Sequence, residues 1–310
     1  MDILRSLVLQ YGKRVELSDW RKHVERRKVG LVLSGGGARG LAHLGVLSVL
    51  EEHNIFADLI VGTSFGSIVA GYYGMGYSVD DMRNKAEAFK AMISQQDTRL
   101  LRGFSAGEKA EKFLKSDFGD ARIEELRLPV FVLAADITSS DMHVFSEGPI
   151  FPAVRASSSF PGLFPPLLLE GHRYIDGGIL NSMMLKVAKE RGADVIIFSD
   201  VSVFGIVYRR PSLNLLLHVV LRFFSSERGE EREEEEKYGF FRTGRRVFRT
   251  VKKYKRQCEL YRKTLVDFLI EPSLKKMRPL DFHKDEEAFA SGRKAGYAQI
   301  EKILRTIYPS

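Results

Sequence analysis

The sequence predicts an α/β fold with a mainly parallel central sheet. Short apolar segments bounded by turn residues recur along the chain, and helical stretches separate most of them. Strands that alternate with helices in this way form parallel sheets, because each helix carries the chain back across the sheet. Two glycine-built turns follow the first two segments. These turns therefore lie at the carboxyl ends of strands, where α/β proteins place their active sites.

Each predicted strand is a brief apolar run, of the length that suits a buried strand. The predicted strands are residues 29–33, 59–61, 130–135, 174–175, 195–198 and 265–270. A helix over residues 41–50 follows the first glycine turn, and a second helix starts at the second turn. The first strand, helix and second strand together carry both turns.

The composition is that of a globular protein that buries a large core. The chain has 310 residues, of which 44% are hydrophobic and 28% are charged, which favours one domain. Cys258 is the single cysteine, so a disulfide framework is excluded and a reducing compartment is indicated. We recognise neither a secretion signal nor an apolar run of about 18 residues. We expect a soluble cytoplasmic protein, with peripheral contact at the inner membrane face left open.

The first glycine turn, residues 34–40, reads Ser-Gly-Gly-Gly-Ala-Arg-Gly. Adjacent glycines let successive backbone amides point into one concavity at the start of a helix, and such a concavity binds an anion. In acyl transfer it is an oxyanion hole. We place the hole at the amides of Gly36 and Gly37, with Gly35 as a third candidate. Two roles are open for Arg39: it binds a substrate phosphate or it braces the turn.

A dinucleotide site is the alternative interpretation of this turn. Gly35, Gly37 and Gly40 match the G-x-G-x-x-G spacing of nucleotide-binding proteins,. That motif requires an acidic residue at the end of the second strand to hold the ribose. Asp58 instead precedes the second strand. The position of this carboxylate disfavours the nucleotide site.

The second turn has the spacing of a nucleophile elbow, G-x-S-x-G. It reads Gly62-Thr63-Ser64-Phe65-Gly66 and lies between an apolar strand and a helix, as the elbow requires. The turn is tight, so small residues are needed at the flanking positions. The alternative interpretation is an ordinary serine that caps a helix. The strand–turn–helix context favours Ser64 as a nucleophile.

A serine nucleophile needs a base that takes its proton. Two histidines follow late enough for a standard triad, but His218 lies in an apolar segment and His283 in a charged loop. Asp176 does end a predicted strand, and Gly177 and Gly178 follow it. Two glycines allow another backbone to approach closely. We therefore predict a dyad of Ser64 and Asp176.

The three motifs in this order resemble the patatin-like phospholipases, in particular the bacterial members. Residues 35–40 match the family's Gly-Gly-Gly-x-Arg-Gly motif, residues 62–66 its elbow and residues 176–178 its Asp-Gly-Gly motif. The resemblance covers roughly residues 29–200 and resumes near residues 267–272 and 296–297. The chain departs from the plant storage members at Ser34, where they have Asp. The charged segment 225–260 matches no family motif.

The resemblance implies a three-layer α/β/α sandwich and hydrolysis of lipid acyl esters by a Ser–Asp dyad. It implies that neither a metal ion nor a cofactor takes part. The expected substrates are phospholipids, lysophospholipids or related esters. The competing hypothesis is a hydrolase fold that has lost activity and regulates processes at a membrane or on nucleic acid. The presence of both Ser64 and Asp176 argues against this alternative.

We divide the chain into a basic N-terminal helical segment, residues 1–28, and a hydrolase domain, residues 29–310. An insertion at about 203–260 contains an apolar stretch, which is a buried or an interfacial helix, and a basic run. Residues 242–263 carry ten Lys or Arg against one acid, Glu259. This run is either a solvated helix face or a surface for anionic lipid. We predict that residues 212–263 contact anionic membranes, and we expect no nucleic acid partner.

Overall fold

The structure is a computed structural model. It describes residues 26–94, 104–160, 164–202, 235–274 and 277–309. Most of the predicted N-terminal segment and residues 203–234 of the predicted insertion lie outside the described residues. The division of the chain into these segments therefore stays a prediction.

Eight strands form one sheet within the described residues. They are β1 (Val29–Leu33), β2 (Leu59–Gly62), β3 (Val130–Asp136), β4 (Asp141–Phe145), β5 (Leu167–Leu169), β6 (His172–Asp176), β7 (Val195–Ser199) and β8 (Phe268–Ile270). All six predicted strands are present. The last one is shorter than predicted and begins at Phe268 rather than at residue 265. The sequence did not predict β4 and β5.

Nine α-helices surround the sheet in the described part of the chain. They are α1 (Ala42–Glu52), α2 (Phe65–Met75), α3 (Val79–Ser94), α4 (Phe104–Phe118), α5 (Ile150–Ser157), α6 (Met183–Glu190), α7 (Glu235–Thr264), α8 (Asp285–Tyr297) and α9 (Ile300–Ile307). None of these helices combines the length and the apolarity that crossing a membrane requires.

The sheet has the order β5-β6-β3-β2-β1-β7-β8, and β4 pairs with β3 beside this path. Strands β3, β2, β1, β7 and β8 are parallel to their neighbours in that order. The pairs that involve β4, β5 and β6 are antiparallel. The prediction of a mainly parallel sheet is confirmed, and an antiparallel edge is added to it.

Helices cover both faces of the sheet, so the predicted three-layer α/β/α architecture is confirmed. Alternate residues of β1 divide between the two faces, as the two-residue period of a strand requires. Leu31 and Leu33 pack in a core with α1, α2 and α8. Val32 packs on the opposite face with α6 and with Val247 and Tyr254 of α7.

Strands β2 and β6 share one edge of β3. Strand β4 occupies the other edge over residues 132–136 of β3. Along the edge opposite β4, β3 pairs with β2 over residues 130–132 and with β6 over residues 134–136. Since β2 is parallel and β6 antiparallel to β3, the carboxyl ends of β2 and β6 face each other. This arrangement brings together the two turns that follow these strands.

Candidate active site

The turn after β2 holds Ser64 in a strained conformation. Ser64 has φ 52° and ψ −129°, in a region that L-residues rarely adopt. The turn closes because its flanking residues have no side chains. A Cβ at Gly66 would lie 2.3 Å from the carbonyl oxygen of Leu33, and one at Gly62 would lie 2.4 Å from the carbonyl oxygen of Gly66. Ser64 directly precedes α2, so the strand–turn–helix context of a nucleophile elbow is present.

A second serine anchors this turn. The Ser64 amide donates to Ser157 Oγ at 2.9 Å, and the Ser157 hydroxyl donates to the Leu133 carbonyl oxygen at 2.6 Å. Thr63 Oγ1 donates to the same carbonyl at 3.0 Å. Our reasoning from sequence did not identify Ser157 as a site residue.

The structure brings Ser64 and Asp176 into direct contact. Ser64 Oγ donates to Asp176 Oδ2 at 2.6 Å, and the Gly178 amide donates to Asp176 Oδ1 at 2.7 Å. Asp176 is 4% exposed and Ser64 8% exposed. A Cβ at Gly177 would lie 2.3 Å from the Leu133 carbonyl oxygen, so this turn also requires glycine.

Burial sets the electrostatic state of Asp176. It raises the pKa of the carboxyl group to about 6, and the hydrogen bonds from Ser64 and Gly178 oppose that rise. Desolvation disfavours the charged carboxylate, whereas donors favour it. A carboxyl group with this pKa is mostly ionised at neutral pH and is still basic enough to accept a proton. Its two oxygens face a hydroxyl group and a backbone amide.

The glycine turn lies beside Ser64. A Cβ at Gly35 would lie 2.8 Å from Ser64 Cβ, so this backbone approaches Ser64 closely. The Gly35 amide donates to Asn181 Oδ1 at 3.2 Å. Within the described part of the chain, the amides of Gly36 and Gly37 have no hydrogen-bond acceptor, and both residues are partly exposed. The turn therefore leaves these two amides available to an anion.

The conformation of the turn explains its residue types. Gly37 has φ +58°, and a Cβ there would lie 2.3 Å from the Pro279 carbonyl oxygen. That oxygen accepts the Ala38 amide at 2.7 Å. A Cβ at Gly40 would lie 2.3 Å from the Phe65 ring. The loop that contains Pro279 thus holds one side of the turn, and the second turn packs against its end.

His43 is fully buried and forms hydrogen bonds that hold the glycine turn. Its Nε2 lies 2.9 Å from the Ser34 carbonyl oxygen, and its Nδ1 lies 2.8 Å from Ser199 Oγ. Burial lowers the pKa of His43 to about 4, so the imidazole is neutral at neutral pH. Because a carbonyl oxygen only accepts, Nε2 donates to Ser34 and Nδ1 accepts from Ser199. Both ring nitrogens are engaged in holding the turn and the end of β7.

Arg39 ties the turn to two neighbouring loops. Its Nε donates to the Val201 carbonyl oxygen at 2.7 Å. Its Nη1 donates to the carbonyl oxygens of Leu274 and Met277 at 2.7 and 3.2 Å. These contacts support the bracing role. The alternative role, contact with a substrate phosphate, stays a prediction.

Other predicted candidates lie elsewhere. His218 is outside the described residues. In the part of the chain that the structure describes, one cluster of carboxylates has its oxygen atoms close enough together to hold a metal ion. Its members are Glu87, Asp285 and Glu286. Lys90 pairs with the first two carboxylates and Arg83 with the third. This group is a network of ion pairs on α3 and α8, and it includes no residue of the predicted site.

A family model described as Patatin-like phospholipase matches residues 31–189. Lysophospholipase NTE1 of Meyerozyma guilliermondii is 36% identical over 192 residues, which are 60% of this chain and 13% of that protein. Lysophospholipase NTE1 of Candida albicans is 37% identical over 192 residues, 60% of this chain and 14% of that protein. The chain thus corresponds to a small part of these relatives. The chain is also similar to the crystal structure of VipD from Legionella pneumophila, with a TM-score of 0.48 and 16% sequence identity. This match covers 91% of this chain and 67% of the VipD chain.

Proposed function

This chain belongs to the patatin-like phospholipase family, and from that premise we propose that it is a serine hydrolase of fatty-acyl esters of lipids. The observation that carries the proposal is the hydrogen bond of 2.6 Å from Ser64 Oγ to Asp176 Oδ2. A buried carboxylate within this distance of a serine on an elbow turn is a nucleophile–base pair. The names of the relatives favour lysophospholipids among the candidate substrates.

The first half of the reaction forms an acyl-enzyme. Asp176 accepts the Ser64 hydroxyl proton while Oγ attacks the ester carbonyl carbon. The amides of Gly36 and Gly37 donate to the carbonyl oxygen as it becomes negatively charged. When the tetrahedral intermediate collapses, the bond to the alcohol oxygen breaks. Asp176 returns the proton to that oxygen, and the alcohol leaves.

The second half releases the fatty acid. Asp176 accepts a proton from a water molecule, and the resulting hydroxide attacks the acyl carbon. The same two amides stabilise the second tetrahedral intermediate. Ser64 Oγ then leaves and recovers the proton from Asp176. The products are a free fatty acid and the enzyme in its starting state.

The test of this proposal is hydrolysis by the wild type and two site variants. The substrates are a chromogenic acyl ester and vesicles that contain phospholipid or lysophospholipid. Ser64→Ala and Asp176→Asn should each lower kcat by about 10³-fold or more, because loss of either member of a nucleophile–base pair disables the other. Ser291→Ala and Asp120→Asn, which lie outside the site, are the matched controls. Undiminished turnover in either site variant would contradict the dyad.

Labelling with a fluorophosphonate separates a hydrolase from an inactive relative. The probe should modify Ser64 of the wild type and should fail to modify Ser64→Ala. A wild-type protein that hydrolyses none of the esters and is not labelled would support the inactive regulatory protein instead.

We further propose that α7 attaches the enzyme to anionic lipid. Its exposed residues Arg245, Arg249, Lys252 and Arg256 follow helical spacing along one stripe, and none has an acidic partner within the described residues. Phe248, next to this stripe, is 43% exposed. Exposed cations next to an aromatic ring are typical of a helix that lies on a membrane surface.

The position of α7 connects this stripe to the site. The helix packs against α6 and against the turn Gly177–Leu180 that follows Asp176. Arg262 of the same helix pairs with Asp200, which follows β7. A membrane held by α7 would therefore lie on the outer side of the helix that packs against the turn after Asp176.

Vesicle binding tests this attachment. Replacing Arg245, Arg249, Lys252 and Arg256 with Gln should weaken binding to vesicles that contain anionic phospholipid. The effect should diminish as salt is added, because exposed charges are screened. Hydrolysis of a soluble ester should not change. Arg305→Gln, on α9, is a single-charge control, and equal binding by the wild type and the fourfold variant would contradict the attachment.

A further inference from the structure

We propose that Asn181 supplies a third hydrogen-bond donor to the oxyanion, through its side-chain Nδ2. This inference rests on the proposed hydrolase function and deepens it. Asn181 follows the turn Gly177–Leu180 and is 3% exposed. It therefore belongs to the same loop as Asp176 and contacts the glycine turn through its side chain.

The hydrogen bond to Gly35 sets the orientation of the Asn181 amide group. The Gly35 amide donates to Oδ1 at 3.2 Å. Rotating the amide group by half a turn would place the Nδ2 donor against the Gly35 donor, so the opposite orientation is disfavoured. Oδ1 must face Gly35, and Nδ2 must face a different group.

The Nδ2 atom has no acceptor. Among buried side-chain nitrogen and oxygen atoms of the described residues, only Asn181 Nδ2 and Ser158 Oγ have no hydrogen-bond partner. Buried polar groups in native proteins are nearly always paired, because an unpaired donor loses its hydration without compensation. An unpaired donor inside a reaction site indicates that its acceptor arrives with the substrate.

The surroundings of Asn181 identify that acceptor. Its Oδ1 accepts the hydrogen bond from Gly35. A Cβ added at Gly35 would lie 3.6 Å from Ser64 Oγ. The side chain is thus next to the space where a carbonyl carbon attacked by Ser64 must lie. Because the Gly35 amide is already bound to Oδ1, the Asn181 amide group takes the place of Gly35 as a donor. Asparagine side chains act in this way in other oxyanion holes.

A donor of this kind affects the rate more than the binding of the substrate. The carbonyl oxygen becomes a much stronger acceptor when it turns into an oxyanion, so the hydrogen bond strengthens in the transition state. Losing one such donor lowers kcat by about 10² to 10³-fold. The KM of a small ester should change little.

Two variants separate the donor from the structural contact. Asn181→Asp keeps an oxygen that accepts the Gly35 amide but removes both Nδ2 hydrogens. Asn181→Ala removes the donor and the acceptor. We expect both variants to lower kcat on a short chromogenic ester by about 10² to 10³-fold. The pH profile of each is recorded to its plateau, because a second carboxylate next to Asp176 raises the pKa of the base.

The outcomes distinguish the possible failures. Suppose that the kcat of Asn181→Asp, at the plateau of its pH profile, is within about threefold of the wild-type kcat, whereas that of Asn181→Ala is not. Asn181 then only holds Gly35, and the inference is wrong. A raised KM with unchanged kcat in both variants would also overturn it. If the wild type fails to hydrolyse the ester, the proposed function fails instead.

A measurement on the wild type keeps the inference testable when a variant does not fold. The phosphonyl oxygen of a fluorophosphonate adduct on Ser64 mimics the oxyanion. In nuclear magnetic resonance spectra, the Asn181 side-chain amide protons should shift downfield when the adduct forms. Unshifted amide protons in a fully labelled protein would overturn the inference.

Discussion

The turn that holds Ser64 and the turn that holds Asp176 reach the same point of the molecule by different means. The first turn depends on local conformation, since Ser64 has φ 52° between Gly62 and Gly66. The second turn depends on the pairing of β6 with β3, in which Asp176 lies opposite Ala134. The proposed nucleophile can therefore be recognised in five residues, whereas the position of the proposed base depends on the register of two distant strands.

The register of β6 is decisive for the dyad. A shift of one residue would turn the Asp176 side chain to the other face of the sheet. A shift of two residues would keep the face but move the carboxylate by about 6.8 Å. Ser64 would keep its strained turn in either case. We therefore expect different consequences when the turn of Ser64 and the turn of Asp176 are each disturbed.

Adding a methyl group to either turn is expected to lower both the stability and the activity. Gly66→Ala and Gly177→Ala each place Cβ 2.3 Å from a backbone carbonyl oxygen, that of Leu33 and that of Leu133 respectively. The backbone must move, which should cost about 1–3 kcal/mol of unfolding free energy. It should also lower kcat/KM by about 100-fold, because small displacements of reacting groups are costly.

Gly171→Ala is the control for these two variants. Unlike Gly66 and Gly177, Gly171 has a positive φ, and a Cβ there meets nothing within 4 Å. The variant should lose about 1 kcal/mol from backbone strain and keep full activity. Kinetics and thermal unfolding of the three variants test the comparison, and full activity in Gly177→Ala would show that the base turn tolerates movement.

Asp176→Asn is expected to stabilise the protein while removing its activity. Burial raises the pKa of Asp176 to about 6 in the folded state, so ionisation above that pH opposes folding. At pH 8 the substitution should add up to about 3 kcal/mol to the unfolding free energy. The gain should decrease as pH falls below 6, be small at pH 4 and disappear at lower pH, where the folded and the unfolded state are both protonated. Denaturant unfolding at pH 8 and at pH 4 measures the difference, and an equal effect at both values would contradict the raised pKa.

Ser157→Ala is expected to weaken the anchor of the nucleophile turn. It removes the oxygen that accepts the Ser64 amide and leaves that amide unpaired. The loss should be about 2 kcal/mol of unfolding free energy, within the range for an unsatisfied buried donor. Ser48→Ala is the control, because its hydroxyl donates to the Gly45 carbonyl oxygen of its own helix and accepts from Arg293, but it accepts no backbone amide. Thermal unfolding compares the two, and equal stability would show that the Ser157 hydroxyl does not support the turn.

The smallest predicted effect is the pH dependence of the rate. Asp176 must be ionised to accept the Ser64 proton, so kcat/KM should fall as pH drops through about 6. The fall should approach tenfold per pH unit below that value. A short chromogenic ester at constant ionic strength gives the profile. A midpoint near pH 4 would indicate that Asp176 is not desolvated in the free enzyme, because kcat/KM reports the pKa values of the free enzyme.

The predicted elements agree with the structure where the residue pattern is local. Strands β1, β2, β3 and β7 are short apolar runs between turns, and their pattern is enough to predict them. Strands β4 and β5 have half-buried or exposed residues, so they lack such a pattern. Their place in the sheet depends on antiparallel pairing with β3 and β6 rather than on their own composition.

The chain's own residues define both glycine turns, because the steric limits on Gly37, Ser64 and Gly66 act within a few residues. They also indicate Asp176 as the base. Sequence reasoning did not reach the facing ends of β2 and β6, nor the contact of Asn181 with Gly35. Hydrogen bonds between distant segments depend on register, and local conformational preference does not specify register. The two motifs of the proposed dyad are therefore recognisable in the sequence, whereas the pairing of β2 and β6 with one edge of β3 brings their residues together.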